Sequence, residues 1–332
     1  MKITRILTKK EWDQELLNIA QFDLYHTFDF HEVHKKIDGG KPILYSIYDG
    51  DDYIFFPLLE RMVKNTLLKD ATSVYGYPGP LSNIRHSDRF NELWNVLIHH
   101  FTNNENYISL FSRLNSISTN EEILAKRFIE EGNTININLM LTEEEQKNKY
   151  RSNHKRDINK LMRDGFECSF TTLEEGLDDF INIYNSTMLA LDASPYYIFN
   201  KEYYQKLFKN NQSEIKLIQC RQNEIITCMG IFSFTNDIVQ YHLGGTAKEY
   251  YKFAPTKLMF DYVRRLSSRK GYKYLHLGGG LGGRKDNLFN FKLGFSDDIK
   301  TFYICKDILN SVKYSELSAN KNQSDFFPLY RS

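Results

Sequence analysis

The glycines of this chain and the side chains beside them form the pattern that is best suited to chemistry. Nine of the eighteen glycines lie between Gly244 and Gly294, and two strand-like segments end in them, at Leu243–Gly245 and Leu277–Gly280. A glycine at the end of a strand lets a ligand approach the main chain closely and permits a positive φ. In open α/β sheets, ligands bind at the carboxyl ends of strands. The pattern therefore predicts a site for an elongated ligand between the two segments, with tight turns as the alternative explanation.

Three residues near these segments could transfer protons. His242 lies just before the first glycine pair, and Asp192 lies in a loop that follows an apolar helical pattern. An imidazole has an ordinary pKa of about 6.5, which suits proton transfer near neutral pH, and loops on a rigid scaffold often carry function. Because side chains alternate along a strand, Tyr241 and His242 point to opposite faces, and only one of them is expected to face a ligand. We predict catalytic roles for His242, Asp192 and Tyr241; a structural core histidine is the alternative for His242.

Two basic segments could bind anions. Arg284 and Lys285 follow the glycine run directly, and a guanidinium group matches the geometry of a phosphate. The densest basic segment is Lys147–Arg156, which would suit the phosphates of RNA. The acidic run Glu143–Glu145 just before it cancels part of that charge. We predict that Arg284 and Lys285 bind an anionic ligand, and a solvated helix face is the alternative for Lys147–Arg156.

Two tyrosine pairs lie in loops, where aromatic rings can stack on a sugar or a base. Tyr75 and Tyr77 belong to a loop rich in glycine and proline, and Tyr196 and Tyr197 follow Pro195. We predict that these four rings contact a second substrate. Packing of the rings within the loops is the alternative in both places.

The composition excludes several classes of protein. The 332 residues carry a formal net charge of +1, so no overall field attracts DNA or an anionic membrane. No apolar run reaches the roughly 20 residues of a membrane-spanning helix, and the N-terminus lacks the apolar stretch of a secretory signal. The four cysteines contain no CxxC pair, so we expect reduced, mostly buried thiols, no metal site and a cytoplasmic location.

The C-terminal half predicts the elements that position these residues. Thr172 and Glu175 form a capping box, in which a threonine caps a helix and a glutamate three residues later bonds back. A helix over 255–270 separates the two strands that end in glycines, so we predict parallel neighbours in a βαβ unit. We also expect these strands to diverge near residues 243 and 277 and to leave main chain open to a ligand. The predicted strands are 166–170, 214–220, 224–234, 238–243 and 273–277.

The N-terminal half predicts a weaker copy of the same order. Thr8 with Glu11 opens a first helix, and Thr142 with Glu145 opens a long polar helix at the start of the second half. Strands are predicted at 2–6, 43–48, 53–60 and 107–111, with helices near 30–36 and 90–101. We therefore predict an α/β fold with two related domains, 1–140 and 141–332, each a mixed, mostly antiparallel sheet with flanking helices.

This order of elements resembles a known family. A strand, two helices, a three-strand meander, a helix, a strand and the terminal segment Phe291–Phe295 resemble a GNAT acyltransferase domain. Two such domains in tandem, with Tyr75–Leu81, Arg151–Gly165 and Leu275–Gly283, resemble the Fem-like group, which includes peptidoglycan aminoacyltransferases. The resemblance covers nearly the whole chain and is clearest over 150–305. It implies two tandem GNAT-like domains, with the donor site in the second.

The resemblance also implies a reaction. It implies transfer of an acyl group from an acyl-CoA type of donor to a primary amine of a cell-envelope amino sugar or peptide, in peptidoglycan or polysaccharide biosynthesis. No tightly bound cofactor is expected. By family position, Lys252 and Thr256 join Gly244, Gly245, Gly278, Gly279, Arg284 and Lys285 as donor contacts, and Lys292 joins the tyrosine pairs as an acceptor contact.

Two alternatives stay open beside this reaction. The segment Tyr251–Lys257 lacks the glycine-rich loop with which ordinary GNAT enzymes bind the CoA pyrophosphate at a helix start. One alternative is therefore an aminoacyltransferase of the Fem type that uses aminoacyl-tRNA. The other is a non-catalytic relative that binds a glycan or a peptide.

Overall fold

A computed structural model describes residues 1–332 of the chain. Its strands are β1 (Lys2–Ile6), β2 (Lys41–Asp49), β3 (Asp52–Met62), β4 (Lys69–Thr72), β5 (Leu81–Ser82), β6 (Tyr107–Arg113), β7 (Ile129–Asn138), β8 (Phe166–Thr171), β9 (Glu214–Gln222), β10 (Ile225–Thr235), β11 (Ile238–Thr246), β12 (Tyr274–Gly278) and β13 (Asp298–Ile308).

Eleven α-helices accompany the strands. They are α1 (Lys9–Leu16), α2 (Phe28–Asp38), α3 (Ser87–Asn103), α4 (Glu121–Arg127), α5 (Glu143–Asn148), α6 (Ser152–Arg163), α7 (Leu173–Ala190), α8 (Lys201–Leu207), α9 (Thr256–Arg269), α10 (Asn287–Lys292) and α11 (Ser311–Ser318). Short 3-10 helices lie at Leu24–His26, Pro195–Tyr197, Lys248–Phe253, Leu281–Gly283 and Leu329–Arg331. None of the helices combines the length and apolar character that a membrane-spanning helix needs.

The chain forms two compact units. One consists of Met1–Gly132 together with Thr301–Ser332, and the other of Asn133–Lys300. In the first unit, β1, β2, β3 and β4 pair antiparallel in chain order, β4 pairs parallel with β6, and β6 pairs antiparallel with β13. A cluster of buried side chains from these strands, α3 and α4 forms the core of this unit. The division at residues 140 and 141 stays a prediction about where independent domains meet.

The second unit carries the predicted glycine segments. Its strands follow the order β7, β12, β11, β10, β9 and β8, and every neighbouring pair is antiparallel except β11 and β12. The short turns of the β9–β10–β11 meander force antiparallel pairing, whereas α9 carries the chain back so that β12 runs parallel to β11. Both units are thus mixed, mostly antiparallel sheets with flanking helices, and the predicted α/β fold class is confirmed.

The helix starts follow the capping signals, with one correction. The side chains of Thr8, Thr142 and Thr172 each accept a hydrogen bond from the backbone N–H three residues later, and at Thr142 the glutamate also bonds back. The long polar helix predicted after Thr142 is wrong, because the chain turns at Tyr150–Arg151 and forms two helices, α5 and α6. There the backbone N–H of Arg151 donates to the carbonyl of Gly294 instead of continuing the helix.

Candidate functional site

The two strands that end in glycines share only a short stretch of pairing. β11 and β12 are in register at Ile238–Gln240 with Tyr274–His276, and the ladder between them ends there. Beyond this point β11 continues along β10 as far as Thr246, while β12 passes a bulge and its Gly278 pairs with β7. The pairing of the two strands therefore ends before the carboxyl edge of the sheet, and we call the place beyond its end the β11–β12 gap. The predicted divergence of the strands is confirmed.

A buried amine lies at this gap. Lys292 ends α10, is only 6% exposed, and donates a hydrogen bond from Nζ to the carbonyl of Gly279 at 2.6 Å. The same Nζ lies 3.5 Å from the place where a Cβ on Gly278 would be. Burial lowers the pKa of Lys292 to about 8, and the nearby Asp286 carboxylate opposes that shift. The sequence led us to expect open main chain at the end of β12, and this expectation is wrong at Gly278 and Gly279. An amine with a lowered pKa, that of Lys292, covers the main chain there.

Tyr241 is the second side chain at the gap. Its ring lies 6.0 Å from Lys292 Nζ and packs edge-on against Phe260. Its hydroxyl oxygen lies 2.4 Å from the position that a Cβ on Gly244 would take, so Gly244 makes room for this hydroxyl. Burial raises the pKa of the Tyr241 phenol well above its usual value, and the hydroxyl stays protonated at neutral pH. The structure thus brings together predicted Tyr241, Lys292, Gly244, Gly278 and Gly279.

Asp286 organises the loop that follows β12, and the sequence analysis did not single it out. Its carboxylate accepts hydrogen bonds from the backbone N–H groups of Leu281 and Phe289, at 2.8 and 2.9 Å. These bonds hold the pKa of Asp286 below its usual value although partial burial opposes that shift. A Cβ on Gly280 would clash with Asp286, so the loop closes tightly on the carboxylate. An aspartate just before a helical segment is a capping signal that could have identified it.

His242 lies on the other face of β11. It is buried, and its Nε2 lies 2.9 Å from the hydroxyl of Tyr203 on α8. Tyr241 occupies the face toward Phe260 and α9, as strand alternation predicted. His242 therefore does not reach the β11–β12 gap, and its predicted role as a base is not supported by this placement.

The loop after α7 remains at the surface. Asp192 is exposed and has a positive φ of 49° in the turn that ends α7. Tyr196 and Tyr197 form a 3-10 turn in which their rings pack edge-on at 5.3 Å. The backbone N–H of Thr246, the last residue of β11, donates a hydrogen bond to the Thr187 hydroxyl near the end of α7 at 3.1 Å. The loop after α7 therefore lies at the same carboxyl edge of the sheet as the gap. Asp192 is exposed to solvent in this loop.

The other predicted donor contacts have mixed surroundings. Gly245 packs against α7, where a Cβ would lie 2.7 Å from Thr187 Oγ1. Thr256 is the first residue of α9, and its Oγ1 lies 3.0 Å from the hydroxyl of Thr246. Lys252, Arg284 and Lys285 are exposed. The cation in the gap is thus Lys292, while the predicted anion-binding pair lies on the outer surface of the loop.

Tyr75 and Tyr77 lie in the first unit and pack around a buried ring. Tyr25 meets both of them edge-on at 6.3 Å, and Tyr75 also stacks on His34 at 6.0 Å. Gly76 between them has a φ of 92°, and a Cβ there would clash with the Tyr25 ring. The packing alternative accounts for this loop, and contact with a substrate stays a prediction.

The basic segment Lys147–Arg156 uses much of its charge locally. Lys149 forms an ion pair with Asp297 at 2.7 Å, and Arg156 forms one with Asp157 at 3.0 Å. Lys155 donates to a backbone carbonyl at the end of α5. Because these cations already have acceptors, the segment offers fewer free charges for RNA phosphates than its sequence suggested.

All four cysteines are free thiols. Cys168, Cys220 and Cys228 stand opposite one another across β8, β9 and β10. Only Cys168 is partly exposed. No group of three or more His, Cys, Asp or Glu side chains is arranged to hold a metal ion.

Together these residues can stabilise negative charge beside a reacting group. An ammonium with a pKa of about 8 is mostly protonated at pH 7. Placed in a water-poor site, it can stabilise an oxyanion far better than a solvated lysine can. A protonated phenol beside it can donate a further hydrogen bond. This combination suits acyl transfer, in which a tetrahedral intermediate carries one negative oxygen.

Comparison with known proteins supports the fold. No protein-family model matches the sequence, and no curated protein matches it either. Among solved structures, FemX superposes with a TM-score of 0.69 over 95% of this chain and 99% of FemX, at 14% sequence identity. The chain therefore shares the fold of FemX over nearly its whole length, and the predicted resemblance is confirmed for the fold.

Two other solved structures are similar over most of the chain. A conserved protein of unknown function from Bacteroides thetaiotaomicron superposes with a TM-score of 0.55 at 12% identity, over 92% of this chain and 99% of that protein. L-PGS from Bacillus licheniformis superposes with a TM-score of 0.53 at 11% identity, over 90% of this chain and 91% of that protein. At these identities the likeness concerns the fold.

Proposed function

We propose that this protein transfers an acyl or aminoacyl group from an activated ester or thioester to a primary amine, in the pathway of a cell-envelope glycan or peptide. The observation that carries the proposal is the buried Lys292 amine at the β11–β12 gap, held by the Gly279 carbonyl beside Tyr241. The Fem-like fold supports the same reaction class, because the resemblance implies acyl transfer to amines.

The proposed step needs little beyond positioning and charge stabilisation. The acceptor amine, after losing its ammonium proton to solvent or a base, attacks the carbonyl carbon of the donor, and a C–N bond forms. The carbonyl oxygen becomes an oxyanion that the Lys292 ammonium stabilises. The C–O or C–S bond then breaks, the departing oxygen or sulfur takes up one proton, and the nitrogen loses its second proton. We assign the Tyr241 hydroxyl, which stays protonated, a second hydrogen bond to this oxyanion.

The start of α9 favours an aminoacyl ester over acyl-CoA as the donor. A pyrophosphate binds to the free N–H groups of a helix N-terminus. Here Pro255 has no N–H, and the N–H groups of Lys257 and Leu258 bond to the carbonyls of Ala254 and Pro255, at 3.0 Å each. Few free backbone N–H groups are left to bind a CoA pyrophosphate at this position. We therefore propose aminoacyl-tRNA as the first donor to test, with acyl-CoA as the second.

The loops at the carboxyl edge are the proposed place of the acceptor in the second unit. Tyr196 and Tyr197 lie in the loop that leaves this edge and present aromatic rings. Such rings stack on sugars and pack against aliphatic peptide groups, so a muropeptide or an amino sugar fits them chemically.

A donor panel tests the proposal. The purified chain is incubated with a mixture of aminoacyl-tRNAs or with a set of acyl-CoA thioesters, each with amino-sugar and peptide acceptors, and products are identified by mass spectrometry. We expect an amide product whose mass equals that of the acceptor plus the free carboxylic or amino acid minus one water. Lys292→Met should lower kcat by at least about a hundredfold, the usual effect of removing an oxyanion stabiliser. Asn287→Met is the matched control, because it places the same side chain at an exposed position of α10.

Two results would contradict the proposal. One is the absence of product with every donor, combined with tight binding of a glycan or peptide, which would identify a non-catalytic binding protein. The other is an active enzyme in which Lys292→Met and Asn287→Met have the same kcat, which would place the chemistry away from the β11–β12 gap.

A further inference from the structure

Exposed apolar side chains collect on the loops around the carboxyl edge of the second unit. Leu189 and Leu191 at the end of α7 are 75% and 66% exposed, and Leu281 after β12 is 51% exposed. Scattered exposed leucines are ordinary, but a group of large apolar side chains on one face marks an interaction surface. We call this group the carboxyl-edge rim, and it consists of Leu189, Leu191, Ile198, Tyr251, Leu281 and Leu288.

The topology places the members of the rim at one edge of the sheet. β11 and β12 run parallel, so the segments after both strands leave at the same edge. The 3-10 turn Lys248–Phe253 follows β11, and the loop with Leu281 follows β12. The end of α7 is tied to this edge because the backbone N–H of Thr246 donates to the Thr187 hydroxyl.

The rim also carries an excess of positive charge. Its exposed cations are Lys248 and Lys252 after β11 and the pair Arg284 and Lys285 after β12. The exposed anions on the same segments are Asp192 and Glu249, while the Asp286 carboxylate is turned inward onto backbone N–H groups. Four cations against two exposed anions give this edge a local positive charge, although the whole chain is nearly neutral.

We infer that the carboxyl-edge rim docks on the surface of an anionic phospholipid bilayer. Apolar side chains next to basic ones are the combination that holds a protein at such a surface, since the leucines enter the acyl boundary while the cations meet lipid phosphates. Charge complementarity favours this occupant over a second copy of the chain, because two positively charged rims would repel each other. Arg284 and Lys285 then face lipid phosphates, which explains why they lie outside the gap.

Vesicle flotation tests the inference without any donor or acceptor, so its failure leaves the proposed transfer reaction untouched. The full chain is mixed with vesicles of phosphatidylcholine alone or with a third of phosphatidylglycerol, at 100 mM salt. We expect flotation only with the anionic vesicles. Leu189→Ser/Leu191→Ser should weaken binding at least tenfold. Arg284→Gln/Lys285→Gln should weaken it about 30-fold, the effect of two cations near an anionic surface.

Matched controls come from the opposite edge of the same sheet. Arg269 and Lys270 are an exposed arginine–lysine pair at the other end of α9, and Met140 follows β7 and is 59% exposed. Arg269→Gln/Lys270→Gln and Met140→Ser should bind vesicles as the wild type does. Circular dichroism checks that all variants keep the fold.

Three results would overturn the inference. The first is no flotation of the wild type with anionic vesicles. The second is flotation that the rim variants and the control variants weaken equally. The third is a dimer in analytical ultracentrifugation that Leu189→Ser/Leu191→Ser dissociates while vesicles are not bound, which would assign the rim to a second copy of the chain.

Discussion

The buried amine of Lys292 gives the sharpest test of the site. In an unfolded chain a lysine side chain has a pKa near 10.5, whereas burial lowers the pKa of Lys292 to about 8 in the folded protein. Between these values the unfolded state binds more protons than the folded state. The free energy of unfolding therefore rises as the pH increases from 8 to 10.5, and below pH 8 this contribution no longer changes.

The magnitude follows from the two pKa values. A difference of 2.5 pKa units between 10.5 and about 8 corresponds to about 3 kcal/mol at roughly 1.4 kcal/mol per unit. Lys292→Met removes the titrating group but keeps a side chain of similar length. We expect the free energy of unfolding of the wild type to gain about 3 kcal/mol relative to Lys292→Met between pH 7.5 and 10.5.

Urea unfolding measured by far-UV circular dichroism at several pH values provides the assay. Both tryptophans, Trp12 and Trp94, lie in the first unit, so tryptophan fluorescence alone would miss this effect. Asn287→Met serves as the control and should run parallel to the wild type, because it removes no titratable group. A constant difference between wild type and Lys292→Met across this range would refute the reasoning that burial holds the amine at a lowered pKa. An NMR titration that gives Lys292 a pKa near 10.5 would also refute this reasoning.

Three further predictions concern single residues. Gly244→Ala should lower the free energy of unfolding by about 1–3 kcal/mol in urea denaturation, because a Cβ would lie 2.4 Å from the Tyr241 hydroxyl; a neutral effect would mean that the hydroxyl moves freely. Burial lowers the pKa of His31 to about 3, so between pH 6.5 and about 3 the unfolded state binds more protons than the folded state. The free energy of unfolding therefore decreases by about 1.4 kcal/mol for each unit by which the pH is lowered in this range. His31→Asn should remove that part of the slope in urea denaturation, and an unchanged slope would contradict the assignment. Asp286→Asn should lower the pKa of Lys292 further, since the carboxylate raises it, and an NMR titration that moves upward instead would show that the loop has rearranged.

Local signals in the sequence were sufficient for most of the fold. Capping threonines, helical spacing of apolar residues and short polar turns act over a few residues, so they can be read without knowing the tertiary contacts. The meander from β9 to β11 and the crossover helix α9 follow from such signals, and the parallel pairing of β11 with β12 follows from the crossover. The long polar helix after Thr142 failed for the converse reason, since the chain turns at Arg151 to bond a residue far along the sequence, Gly294.

The candidate site was predicted in part. Tyr241 and the glycines of both strands lie at the gap, because alternation along a strand and the edge of a sheet are properties of the local pattern. His242 was an equally good base by residue type, and only the packing of α8 against its face shows that it bonds to Tyr203 instead. The capping position of Asp286 before α10 could have been recognised in the sequence, but its bond to the Leu281 N–H depends on a loop shape that the sequence does not reveal.

The sequence by itself determined most of the turns, which segments are strands and that two strands end in glycines, because each of these depends on neighbouring residues. Only the tertiary structure decided that Lys292 reaches back to the Gly279 carbonyl and loses its water there. That decision depends on burial by residues from several elements, and the pKa of an amine responds to such burial far more than to its neighbours in the sequence.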